Sequence, residues 1–174
     1  MALRQILTEP NEVLRQKSIP VEKVDKDLQK LMDDMLETMY AAPGIGLAAI
    51  QIGVPKRIIV LDLARKDEPK NPMYFINPEI SDKSQNNSTY EEGCLSVPGQ
   101  FAEIDRPDKC YVKYLDYHGQ PKEIKAEGML ATCIQHEMDH LEGILFIDYL
   151  SKLKKTMIIK KLSKQKAAIE RIVV

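Results

Sequence analysis

The chain has 174 residues, 44% of them hydrophobic and 29% charged, a mixture expected of one soluble globular domain that needs no disulfide staples. No apolar run approaches the ~20 residues that span a bilayer, and the first residues, Met1-Ala-Leu-Arg-Gln-Ile-Leu, lack the apolar stretch and cleavage site of a secretory signal. The net charge of −1 conceals an asymmetry: 151–174 carries eight Lys or Arg and one acid, against 17 basic and 25 acidic residues in 1–150.

In chain order, Leu28, Leu31, Met32, Met35, Leu36 and Met39 recur at helical spacing and predict an amphipathic helix over 27–42. Asp25 or Asp27 is its expected cap, and Pro43-Gly44 its stop. The small-residue stretch from Gly44 to Pro55 follows no simple period. The β-branched run at 57–63 reads as a strand, and 73–80 as a second, interrupted by Pro78. Residues 81–89 are polar and read as a turn or loop, and glycines and a proline around Cys94 give that segment a loop-like character. Two further strands are expected at 109–117 and 120–126, joined by a tight turn at His118-Gly119. A second helix is expected over 128–142, stopped by Gly143, and a third over 151–172, capped by Ser151. Helix, strands, helix, helix is the order of an α+β fold with antiparallel or mixed sheets.

The second helix carries His136-Glu137-Met138-Asp139-His140. Residues at i and i+4 share a face, so two imidazoles can converge on one metal ion, while Glu137 reaches a bound water as general base without being a ligand. A catalytic site of this kind usually has three protein ligands and one open position. The HExxHxxGxxH pattern fails because Phe146 stands where its last His belongs. A later Glu is a poor candidate, since only Glu170 follows Glu142 and it lies in the lysine-rich segment.

The cysteines remain. With three, widely spaced, and no secretory signal, a disulfide framework is not expected and a reducing cytoplasm is. Cys133 lies seven residues from His140, about 10.5 Å along a helix axis, too far for a shared ion, and suits packing or a pocket wall. Cys110 sits in an alternating strand, where a core role is the default. Cys94, in Glu92-Gly93-Cys94-Leu95-Ser96, is therefore the expected third ligand.

Gly44-Ile45-Gly46-Leu47-Ala48-Ala49-Ile50-Gln51, Glu92-Gly93-Cys94-Leu95-Ser96 and Gln135-His136-Glu137-Met138-Asp139-His140 together resemble, in identity and order, the three signature motifs of the peptide deformylases, and length and spacing match along the chain. The resemblance implies an α+β fold with strands around the HExxH helix. It implies hydrolysis of the N-formyl group from the formylmethionine of nascent proteins, with release of formate. The metal ligands would be Cys94, His136 and His140, and Glu137 the acid/base residue. Gln51 and the backbone N–H of Leu95 would stabilise the oxyanion. The metal would be Fe²⁺, with Zn²⁺, Ni²⁺ or Co²⁺ able to replace it. The methionine pocket would be built by Ile45, Gly46, Gly93, Met129, Thr132 and Cys133. Met129 reads equally as core packing, and Thr132 departs from the apolar residue expected at its position. Phe101 stands where several relatives have a basic residue. Glu92 would pair with Arg106, a solvated acid being the plain alternative.

The long third helix resembles the Gram-negative form of the family. One domain is expected, with 1–150 catalytic and 151–174 a basic C-terminal helix of it, in a monomer. The basic helix either faces solvent or meets the RNA phosphates of the ribosome. From HExxH alone, a metallopeptidase is the competing reading, and a non-catalytic metal-binding or RNA-associated module is a third. Gly44, Gly46 and Ala49 also match a loose dinucleotide fingerprint, but a helix and Pro43 precede them where that motif needs a strand.

Overall fold

The computed structural model describes residues 2–172. Helix α1 (Lys26–Ala41) starts where the Asp25 carboxylate accepts the Leu28 N–H at 2.9 Å, which singles out Asp25 of the two expected caps. Seven strands follow: β1 (Gly46–Ala48), β2 (Ile58–Leu61), β3 (Met73–Lys83), β4 (Asn87–Cys94), β5 (Val97–Pro107), β6 (Lys109–Leu115) and β7 (Pro121–Glu127). Helices α2 (Gly128–Leu141) and α3 (Lys152–Ile172) end the chain. The strands form an antiparallel sheet in the order β1-β2-β3-β6-β7 and a separate β4-β5 hairpin.

The unbroken apolar run of β2 has a simple cause. Ile58 and Val60 pack with Met32, Met35 and Met39 of α1, whereas Ile59 and Leu61 pack with Ile134 and Leu141 of α2. A strand covered on both faces loses its polar alternation. Each such side chain stabilises the fold by about 1.5–3 kcal/mol relative to exposure. Helix α2 lies between the large sheet and the hairpin, touching β1, β2, β6 and β7 on one side and β4 and β5 on the other. Its histidines and Glu137 are therefore buried although they are polar.

Two expectations are corrected and one is refined. Residues 81–89 are not one loop: β3 runs on to Lys83 and β4 begins at Asn87, leaving a short reversal in which Ser84 Oγ donates to Asp108 and accepts the Lys109 N–H. Pro78 interrupts the pairing of β3, as expected, without ending the strand: it lies in a register shift against β6, where Asn77 turns to φ +50° and bonds Val21 through its side chain. Cys94 is not in an open loop but closes β4, paired with Val97 across a two-residue turn. The polar faces of β4 and β5 hid this hairpin, since few of their residues are buried.

Ser151 does cap α3, accepting the Lys154 N–H at 3.3 Å. The apolar residues of α3 do not form a continuous buried face. Leu162 is enclosed with Val97, Ile104 and Phe146, but Leu153, Met157, Ile169 and Ile172 are exposed. Among the described residues no helix is long and apolar enough to cross a membrane.

Candidate metal centre

Helical geometry brings His136 and His140 to one face of α2, with ring centroids 5.2 Å apart. The β4-β5 turn carries Cys94 to them: its Sγ lies 3.3 Å from His140 Nε2, and the potential ligand atoms of Cys94, His136 and His140 all lie within 4.8 Å of one another. Two donors on one tetrahedral ion, at bond lengths of about 2.0–2.3 Å, stand about 3.5 Å apart. A thiolate and two imidazoles suit a first-row divalent ion such as iron or zinc. The donor set and its spacing thus fit one metal ion.

Surrounding groups fix each donor. His136 Nδ1 faces Glu92 Oε1 at 2.8 Å, which leaves Nε2 for the cluster. The buried Glu92 carboxylate also accepts two bonds from Arg106, at 2.7 and 3.0 Å, so the expected pair exists and the solvated-acid alternative falls. Burial alone would raise the Glu92 pKa, but hydrogen bonds from His136 and Arg106 bring it below the ordinary carboxylate value. Cys94 Sγ also receives the Ser96 N–H at 3.4 Å.

Glu137 points into the same space, its Oε1 4.0 Å from His136 Nε2. Burial pushes its carboxyl up to about 7, opposed by the charge of His136. The first glycine motif is explained here. A Cβ on Gly46 would stand 2.5 Å from Glu137 Oε1, and one on Gly44 would stand 2.7 Å from Leu95 Cδ1. Both glycines thus approach their neighbours more closely than a side chain would allow.

Gln51 is buried in a 3-10 turn after β1. Its carbonyl oxygen accepts the Ala48 N–H at 2.9 Å, and its amide nitrogen donates to Ser96 Oγ at 3.0 Å and lies 3.6 Å from Cys94 Sγ. Leu95 sits in the β4-β5 turn on the wall of the adjoining cavity. That cavity, of about 450 Å³, is also lined by all six residues expected at the pocket: Ile45, Gly46, Gly93, Met129, Thr132 and Cys133. Met129 is 44% exposed at its edge, so the core-packing alternative does not hold. Cys133 is a pocket wall, as expected, and burial raises its thiol to about 12. Cys110 belongs to the core.

Two supporting residues escaped the sequence reading. Ser96 holds both Gln51 and Cys94, and Asp139 accepts bonds from Arg106 and from the Tyr149 hydroxyl, both at 2.8 Å. Asp139 lies inside the histidine motif, one helical step from His140, but its partner comes from β5, which the sequence did not reveal.

A thiol and two imidazoles converging beside a buried carboxylate, on the floor of an apolar cavity, make the arrangement of a metal-dependent hydrolase. The family model described as polypeptide deformylase matches residues 3–156, and the chain belongs to that family. It is 69% identical over 167 residues to a peptide deformylase of Pelagibacter ubique, covering 96% of this chain and 97% of that one. It is 60% identical to one of Maricaulis maris, covering 98% of each chain. Among solved structures, the peptide deformylase of Ehrlichia chaffeensis superposes with a TM-score of 0.92 at 46% identity, covering 96% of this chain and 98% of that one. A second structure of that protein, in complex with actinonin, gives 0.91 at 48% identity, covering 95% and 98%. The chain is thus a metalloenzyme that hydrolyses the N-formyl group from nascent peptides.

Proposed function

We propose that Cys94 Sγ, His136 Nε2 and His140 Nε2 hold one divalent ion, Fe²⁺ in the cell, and that Glu137 is the acid/base residue. The observation that carries this reading is the approach of Cys94 to His140, 3.3 Å, beside the buried Glu137 carboxylate. When bound, the ion supplies Lewis acidity, lowering the pKa of water towards about 7 and polarising the formyl oxygen. Glu137 accepts the proton of the attacking water and passes it to the leaving amine nitrogen.

Gln51, held by Ala48 and Ser96, keeps its amide N–H at the rim of the site, where with the Leu95 N–H it meets the charge developing on the formyl oxygen. One such preorganised donor contributes about 3–4 kcal/mol. The cavity lined by Ile45, Gly46, Gly93, Met129, Thr132 and Cys133 takes the methionine side chain. The thiolate ligand suits iron, zinc, nickel or cobalt, and it oxidises in air.

The chain acts as a cytoplasmic monomer of one domain, residues 1–150 forming the catalytic body and 151–174, the last two of which lie outside the described residues, its basic C-terminal segment. Packing of Leu162 against the body supports treating the two as one domain. The lysines of α3 attract ribosomal RNA. Formate release measured on Glu137→Ala tests the central role: the variant is expected to bind one metal per chain and to lose about 10²–10⁴-fold in kcat. Parental turnover would remove Glu137 from the chemistry.

A further inference from the structure

One buried hydroxyl in the methionine cavity is not accounted for by packing. Thr132 is 3% exposed and lines that cavity; its Oγ1, itself covered in this structure, has no hydrogen-bond partner among the described residues, and a turn about χ1, which has two favoured settings in a helical threonine, would bring it to a ligand. A threonine inside a helix commonly donates back to the carbonyl four residues earlier. Thr38 of α1 does so, bonding Asp34 O at 2.7 Å. Thr132 does not bond Gly128 in this way. Its neighbours on the cavity wall, Met129 and Cys133, are apolar or weakly polar. A buried donor without an acceptor is costly, and the cost is relieved when a ligand brings the acceptor.

The ligand's dimensions match. Thr132 precedes His136 by four residues, a rise of about 6 Å along the helix axis. Five bonds separate a formyl carbon from the sulfur of a following methionine, an extended reach of about 6 Å. With the formyl group at the histidines, the sulfur reaches the level of Thr132. Thioether sulfur is a weak acceptor. A sulfoxide oxygen at the same place is a strong one.

Resting on the deformylase reading of this cavity, we infer that the Thr132 hydroxyl donates a hydrogen bond to the first side chain of the substrate, selecting sulfur over carbon at that position and admitting formylmethionine sulfoxide as a second substrate. A norleucine side chain has the shape of methionine but brings no acceptor, so its binding leaves the donor unpaired. A site built to bond a polar group rejects the analogue lacking it more strongly than an apolar wall could.

The test compares kcat/KM of the metal-loaded enzyme on otherwise identical formyl-Met, formyl-norleucyl and formyl-methionine-sulfoxide peptides, for wild type, Thr132→Val and Thr132→Ser. Ratios are read, so that a change common to all three substrates cancels. The wild type is expected to favour Met over norleucine by roughly fivefold, the worth of a modest hydrogen bond, and to cleave the sulfoxide at least as well as norleucine. Thr132→Val should bring the Met to norleucine ratio near one and lower the sulfoxide to norleucine ratio by about tenfold or more, while Thr132→Ser keeps both. Unchanged ratios in Thr132→Val would overturn the inference. So would a wild type that cleaves norleucine a hundredfold better than the sulfoxide, a result that stands even if no variant folds. Failure of the wild type on every formylated peptide would instead contradict the deformylase reading itself.

Discussion

Gly46 shows how closely the residues of the site are fitted. Its missing side chain is the space occupied by the Glu137 carboxylate and by Leu61, whose Cδ2 is 2.7 Å from where a Cβ would lie. Leu61 is fully buried in the packed strand β2, so the flexible partner is Glu137. Gly46→Ala is therefore expected to retain its metal and to lose at least tenfold in kcat, because a displacement of about 1 Å is enough to spoil a proton transfer. Metal content and formate release on the same preparation check it, and a fully active variant would mean that the carboxylate position is not critical. The histidines, Glu137 and Cys94 were legible in the sequence because a helical period and a donor inventory suffice to relate them. Ser96 and Asp139 were not, since their roles exist only once the β4-β5 hairpin brings Ser96 to Gln51 and Arg106 to Asp139.

At the level of elements, strongly periodic segments were legible and polar strands were not. Helices α1 and α2 followed from their apolar spacing, and β2 from its β-branched run. The β4-β5 hairpin was missed because its buried residues are few, among them Glu92, Val97, Ile104 and Arg106, and two of those are charged. It is held by strand pairing, by the ion pairs of Arg106 and by Val97 and Ile104 packed with Phe146 and Leu162.

Helix α1 is tied to the N-terminal segment by a similar device. The Asp34 side chain, itself covered, accepts the Ala2 N–H at 2.7 Å and the Arg4 guanidinium at 3.0 and 2.7 Å. Burial pushes the Asp34 pKa up, but the Arg4 and Ala2 bonds outweigh it and hold the carboxyl below its ordinary 3.8. The fold thus prefers the ionised form, so this contribution is present above that ordinary value and is lost as pH falls through the lowered one. Asp34→Asn is expected to melt a few degrees lower than wild type at pH 7, with the gap narrowing below about pH 4. Thermal melts across that range check it, and a gap independent of pH would show that ionisation is not the cause. The Arg4 side chain is 45% exposed, which screens the pair and keeps the effect modest.

For the molecule as a whole, the charge asymmetry read from the sequence survives as geometry. The last turns of α3 project from the body: every residue from 163 to 172 is exposed, whereas Leu162 is anchored beside Val97, Ile104 and Phe146. Two truncations separate the roles. Removal of 164–174 is expected to leave the melting temperature within about a degree, and to weaken salt-sensitive co-sedimentation with ribosomes. Removal of 152–174 also takes Leu162 from its cluster, at a cost of about 2–4 kcal/mol. Unaltered ribosome binding by the shorter truncation would leave α3 a solvated face.

The meeting of Cys94 with the two imidazoles organises everything else in the molecule, from the hairpin turn to the glycines beneath Glu137. X-ray absorption on the zinc-loaded protein reads it directly. One sulfur at about 2.3 Å and two imidazole nitrogens at about 2.0–2.1 Å are expected in the first shell. A shell without sulfur, or one with a third imidazole, would contradict it.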